Sequence, residues 1–208
     1  IDDIGEIKVD PKPFCKYLNK YQNWVENKSE QDLLKKLGIK SKVCPSFVGD
    51  VNKEVSYKWN EKPKLYTSVS GDDFERYGWW KIFKLSDKNS DIEFHLYGNT
   101  IPFANQYYHK EYKNIFDHGR VPKEQMNEEI KEMQGCLRLI EMEGASEIIV
   151  KACLMGQYAF SLIKYPGVLS VDKLHLLPSL KSANIKHRDW WLKNLNNYPW
   201  NNKYGKNK

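Results

Sequence analysis

Tyr66 to Phe103 reads YTSVSGDDFERYGWWKIFKLSDKNSDIEFHLYGNTIPF, and its apolar residues recur with the strand period of two. Ile92, Phe94 and Leu96 point one way while Glu93, His95 and Tyr97 point the other, the pattern of a strand with one face in the core and one in water. Gly98, Asn99 and Thr100 end it. Trp79 to Leu85 is apolar on both faces apart from Lys81 and Lys84, which predicts a more central strand, parted from its neighbour by the turn-rich Ser86 to Asp91. These runs predict an antiparallel β-meander.

Working outward, Phe14, Tyr17, Leu18, Tyr21 and Val25 repeat at helical spacing behind Pro13. Ser29 and Asp32 form a cap in front of Leu33, Leu34 and Leu37, with Gly38 closing that second helix. Val55, Tyr57 and Trp59 alternate as a short edge strand, and the segment between Phe103 and Val121 lacks periodicity and reads as a loop. Pro122 opens a long predicted helix through Met126, Ile130, Met133, Leu137 and Ile140, ended by Gly144. From 146 to 164 the apolar residues fit one helical face, with a hairpin turning at Met155-Gly156-Gln157 as the alternative. Val168 to Leu180 reads as extended, and Ser182 is placed to cap a last helix carrying His187, Arg188, Trp190 and Trp191. The expected class is α+β: a central antiparallel β-meander flanked by an N-terminal helical pair and a C-terminal helical region. One domain spans 1–195, followed by a polar basic and aromatic tail at 196–208.

The composition supports a folded domain, since an aromatic fraction of 13% supplies large buried areas despite a mean hydropathy of −0.72. A net charge of +6 mildly favours anionic partners and falls short of a dense nucleic-acid-binding stripe. Cys15, Cys44, Cys136 and Cys153 lie far apart with no C-x-x-C pair, which argues against a structural zinc site and leaves disulfides Cys15–Cys44 and Cys136–Cys153, or buried thiols, as alternatives. A chain opening on Ile1 reads as a processed secreted or organellar chain, or as a fragment. The apolar run at 146–164 is shorter than the roughly 20 residues a spanning helix needs, so no transmembrane segment is expected.

No glycine-rich phosphate loop of the G-x-G-x-x-G or G-x-x-x-x-G-K-[ST] type is present, nor a G-x-S-x-G elbow, and no cofactor is indicated. The densest chemical signal is the C-terminal arm, where Lys186, Arg188, Trp190, Trp191, Lys193 and Trp200 interleave cations with rings. These residues predict a non-enzymatic binding or accessory protein presenting a basic, aromatic surface to a macromolecule, a protein subunit in preference to RNA. A second reading is a hydrolase built on His95, His109, Asp117 and His118, where two imidazoles and a carboxylate could act as acid and base or hold a metal. A third is a secreted disulfide-bonded protein that binds a host or receptor surface. The Trp79-Trp80 pair is expected to pack mainly in the core.

Overall fold

The computed structural model describes residues 12–69, 75–98 and 112–197. Helix α1 (Lys12–Leu18), strand β1 (Asn23–Val25), helix α2 (Lys28–Lys36) and strand β2 (Ser41–Val43) form a small N-terminal layer in which β1 and β2 pair in parallel. The α2 cap is Asn27, whose side chain accepts from Glu30 N at 2.9 Å, rather than the expected Ser29. Gly38 does close this helix, at φ 76°. The first helix is shorter than its sequence period suggests, because Asn23 to Val25 leave it to pair with β2.

The main body is built from β3 (Lys64–Ser68), α3 (Trp80–Lys88), β4 (Glu93–Tyr97), β5 (Ile115–Gly119), α4 (Lys123–Glu129), β6 (Gly135–Arg138), α5 (Glu147–Leu154), β7 (Tyr158–Ser161), β8 (Leu169–Ser170) and α6 (Ile185–Asn194). A 3-10 turn covers Ile130–Glu132 and a longer 3-10 segment Val171–Ser179. The sheet order is β5-β4-β3-β6-β7-β8 and every pairing is parallel. The chain therefore lays strands outward from β3, returns to β6 beside it, and lays strands outward the other way. That is the doubly wound, Rossmann-like order, and the reversal between β3 and β6 is its switch point.

The expected antiparallel β-meander is thus wrong, and the reason sits in the quoted stretch. Trp79, Ile82, Phe83 and Ser86 are buried while Trp80 is exposed, the three-and-four spacing of a helix rather than the alternation of a strand. A helix between β3 and β4 is what allows two consecutive strands to run parallel. The long predicted helix from Pro122 also fails: only α4 and one 3-10 turn are helical, and Gly135–Arg138 enters the sheet as β6, buried like its flanks from Met133 to Ile140 at every position. Residues 146–164 are neither one helix nor a hairpin: helix α5 comes first and strand β7 second, joined at Gly156 with φ 71°. No strand forms at Val55 to Trp59, Ile115 to Gly119 is a strand rather than loop, and Val168 to Leu180 is mostly 3-10.

Two cores cover the two faces of the sheet. Tyr66, Tyr97, Cys136 and Ala159 face α5 and α6, where Ile149, Cys153, Trp191 and Leu195 are buried. Leu65, Phe94, Leu96, Leu137 and Phe160 face α3 and the 171–179 segment through Trp79, Ile82, Leu174 and Leu177. Strand β4 is therefore buried on both faces, with His95 and Tyr97 enclosed along with Phe94. All four cysteines are buried and none is disulfide-bonded.

Candidate functional site

In a doubly wound sheet the strand order diverges at the switch point, so the carboxyl ends of β3 and β6 leave a crevice that neither crossover fills. Ser68, Tyr77, Arg138, Ser146, Glu147 and Ile148 line this crevice. A contiguous cleft of about 290 Å³ extends over Val69, Tyr97, Gly98, Arg120, Lys123 and Lys151.

The base of the crevice is a closed polar brace. Arg138 donates from Nε to Glu143 Oε1 at 2.9 Å, from Nη2 to Glu143 Oε2 at 2.6 Å and from Nη1 to Ser68 O at 3.1 Å. Its guanidinium lies 4.4 Å from the centre of the Tyr77 ring. Tyr165 donates to Gly144 O at 2.6 Å, and Asn27 Nδ2 to Glu143 O at 2.8 Å. Each nitrogen of the Arg138 guanidinium is thus committed, so it positions the loop after β6 rather than offering charge to a ligand.

What does face the opening is the start of α5. Ser146 precedes its first turn and is 3% exposed, yet its side chain makes no cap bond and its Oγ has no hydrogen-bond partner. The first N–H groups of a helix have no acceptor within it and carry its positive dipole end, which makes such a start a cradle for an anion. Glu147 stands at the rim, with Lys151 Nζ at 2.9 Å and Lys123 Nζ at 3.8 Å from its Oε1. The hydrogen bond from Lys151 holds the Glu147 carboxyl below its usual range. Lys151 is itself buried and also donates to Asn127 Oδ1 at 3.3 Å.

Of the residues singled out by sequence, the structure brings His95 and His118 together: His95 Nδ1 and His118 Nε2 are 2.8 Å apart. Glu93 Oε2 approaches His95 Nε2 at 3.4 Å, and Glu129 Oε2 lies 3.6 Å from His118 Nδ1 while accepting from Tyr97 at 2.7 Å. Burial and then the neighbouring His118 lower His95 to about 4. Asp117 turns away and accepts from Gly119 N at 2.9 Å, and His109 lies outside the described residues. Among the described residues no three His, Cys, Asp or Glu side chains are grouped to hold a metal. Burial pushes Cys136 up and Cys153 up to about 12, so neither is an activated thiol.

Two of the residues expected to grip a partner from the C-terminal arm are spent on the protein itself. Trp191 is fully buried and donates to Pro166 O at 3.1 Å, with Trp190 half-buried against it at 5.5 Å. Arg188 is spent inside the protein, donating to Leu154 O at 2.7 Å and Lys53 O at 2.9 Å. Lys186 and Lys193 are exposed, and Trp200 lies outside the described residues. Sequence reading missed Ser146, Glu147, Lys151 and Arg138 because no glycine-rich signature marks them. Their signal was a basic residue ending one strand, then a serine opening a helix that is apolar on nearly every side.

No family model and no curated protein sequence matches the chain. Solved structures do. The apo lipopolysaccharide outer core galactosyltransferase WaaB superposes with a TM-score of 0.66 at 11% identity, over 84% of this chain and 58% of that one. Sucrose-phosphate synthase from Thermosynechococcus elongatus gives 0.55 at 12% identity, over 86% and 55%. TarM from S. aureus, in complex with Fondaparinux, alpha-GlcNAc-glycerol and UDP, gives 0.54 at 14% identity, over 93% and 43%. The chain spans about half the length of these proteins. Over that span it has a Rossmann-like fold of the GT-B glycosyltransferase kind. The fold is one shared with glycosyltransferases, which overturns the reading of a non-enzymatic binding protein, and Trp191 and Arg188 of the arm meant to do the binding are spent inside the protein. The disulfide-bonded alternative falls separately, since Cys15, Cys44, Cys136 and Cys153 are all free thiols. Among the described residues no helix is long and apolar enough to cross a membrane.

Proposed function

We propose that this chain is the nucleotide-binding part of a glycosyltransferase, and that the β3/β6 crevice holds the diphosphate and ribose of a nucleoside-diphosphate sugar. The observation that carries this is Ser146: a buried, unpartnered hydroxyl at the start of α5, in the lining of the switch-point crevice of a doubly wound sheet. Such a hydroxyl and the free N–H groups beside it match the acceptors of a phosphate. Lys123 and Arg120 supply positive charge along the adjoining cleft, and the ionised Glu147 suits ribose hydroxyls, which donate to a carboxylate. One protein of this fold, TarM, is described in complex with UDP.

Thermal unfolding with UDP, GDP or ADP tests the assignment, with uridine and inorganic phosphate as controls. A nucleoside diphosphate at about a hundred times its Kd should add about 2.7 kcal/mol of stability. Absence of a shift from every nucleoside diphosphate, or an equal shift from phosphate alone, would overturn it.

A further inference from the structure

The N-terminal layer carries a surface that the proposed nucleotide site does not use. Phe14, Tyr17 and Tyr21 on and after α1 are each more than half exposed, and so is Leu33 on α2, with Leu37 one turn further at 46%. Helix α2 has no buried residue, and Leu33 and Leu37, four apart, form an apolar stripe that the described residues leave exposed. The two halves are tied together by Asn19, which donates to Gly38 O at 2.7 Å and accepts from Lys40 N at 2.8 Å. That bridge sets the aromatic end of α1 beside the leucine end of α2.

Charge follows the same layer. Residues 12–45 hold eight lysines and three acids, nearly the whole excess of a chain with 33 basic and 27 acidic residues. The three acids are also occupied. Glu26 accepts from Ser46 and, at 2.7 Å, from Ala145 N; Glu30 accepts from Glu26 N at 2.8 Å; Asp32 pairs with Lys28 at 3.2 Å. Lys16, Lys20, Lys35 and Lys36 are exposed on or just after the same two helices, Lys36 on the flank of the leucine stripe.

We propose that α1 and the outer stripe of α2 dock onto an anionic lipid bilayer. Tyrosine and phenylalanine suit the headgroup boundary, leucines reach the acyl region, and lysines meet anionic headgroups. A nucleic acid would use the lysines and rings but gain nothing from Leu33 and Leu37, which favours lipid. This surface is independent of the crevice and can be tested without nucleotide.

The experiment is co-sedimentation of the full chain with phosphatidylcholine vesicles with and without phosphatidylglycerol. The chain should pellet with the phosphatidylglycerol vesicles, less with phosphatidylcholine alone, and less as salt rises. Leu33→Ala with Leu37→Ala should lower partitioning about tenfold. Lys35→Glu with Lys36→Glu should lower it at least about tenfold on the anionic vesicles only, given about fivefold per lysine near such a surface. Leu33, Lys35, Lys36 and Leu37 are all exposed, so unchanged circular dichroism and unfolding should accompany the loss. Wild-type protein left in the supernatant, or variants that pellet as wild type, would overturn the proposal. So would a concentration-dependent dimer abolished by the leucine pair, or single-stranded RNA binding that survives it, which would assign the surface to a second copy or to nucleic acid.

Discussion

Arg138 and Glu143, five residues apart in the chain, form a two-point ion pair at 2.9 and 2.6 Å that closes the loop after β6 onto the end of β3. Both side chains are nearly out of water, at 11% and 14% exposure. Removing one partner strands the other charge in a desolvated site, so Arg138→Met should cost about 3–5 kcal/mol in urea unfolding. Arg138→Lys should recover only part of it, because an ammonium cannot make both carboxylate contacts and the Ser68 contact at once. A double variant with Glu143→Leu should be more stable than Arg138→Met alone.

Ser146 separates stability from binding. An N-cap serine normally loses about 1 kcal/mol on replacement by alanine, but this one makes no cap bond and its hydroxyl is buried without a partner. Ser146→Ala should therefore leave unfolding within about 0.5 kcal/mol of wild type, since no bond is broken and an unsatisfied group is removed. Affinity for UDP should fall by about tenfold or more in Kd for the loss of one hydrogen bond to a charged group.

His95 predicts a one-sided pH response. Its imidazole titrates at about 4 in the folded protein, against 6.5 in the unfolded chain, because burial first and His118 second disfavour the charged form. Above the unfolded value both states are neutral and nothing is lost. As pH falls below 6.5 the unfolded chain takes up the proton first, and stability drains until the folded group also protonates near 4, by on the order of 3 kcal/mol. His95→Phe keeps the stack on Phe116, whose ring lies 5.0 Å away at 14°, and removes the titration. Urea unfolding from neutral pH down to about 4 should show a shallower decline in that variant.

The aromatic C-terminus divides sharply between its neighbours. Trp191 is fully buried among the α5 and α6 side chains, so Trp191→Ala should cost about 3–5 kcal/mol. Trp190, only partly buried, should cost less than half as much when replaced by alanine. A chain in which both losses were small would place this pair outside the core.

How far the sequence could be read depended on whether a segment meets water. Strand β4 was legible because Phe94 and Leu96 alternate with polar-capable residues, although His95 and Tyr97 turned out to be enclosed on the other face of the sheet. Strand β6 was not legible: buried at every position, it carries no alternation, and Met133, Leu137 and Ile140 happened to continue the helical spacing of Met126 and Ile130. In α5 the β-branched Ile148, Ile149 and Val150 favour a strand locally, and packing on both sides of the helix overrides that preference. Reading α3 as a strand and β6 as a helix converts a doubly wound sheet into a meander. The crevice escaped for the same reason, since Ser68, Arg138 and Ser146 become neighbours only when β3 and β6 pair. His95 and His118 were grouped from sequence with His118 on a loop; it is the pairing of β4 with β5 that sets the two rings side by side.

Gly78 shows how tightly that switch point is closed. It has φ 68°, and a Cβ placed there would lie 2.5 Å from Leu139 O and 2.9 Å from Leu139 Cβ, so the turn entering α3 rests directly on the end of β6. An alanine would meet both penalties, the left-handed backbone and the overlap with main-chain atoms that cannot rotate away. Gly78→Ala should lower stability by about 2 kcal/mol or more, and it should displace Trp79, which is fully buried in the same core as Leu139. Gly38, also at positive φ but with open space for 4 Å around the position a Cβ would take, is the control: Gly38→Ala should cost only the backbone penalty of about 1 kcal/mol. Equal losses at the two positions would mean that the contact between the α3 turn and β6 carries no weight, and that the crevice is held open by the Arg138 brace alone.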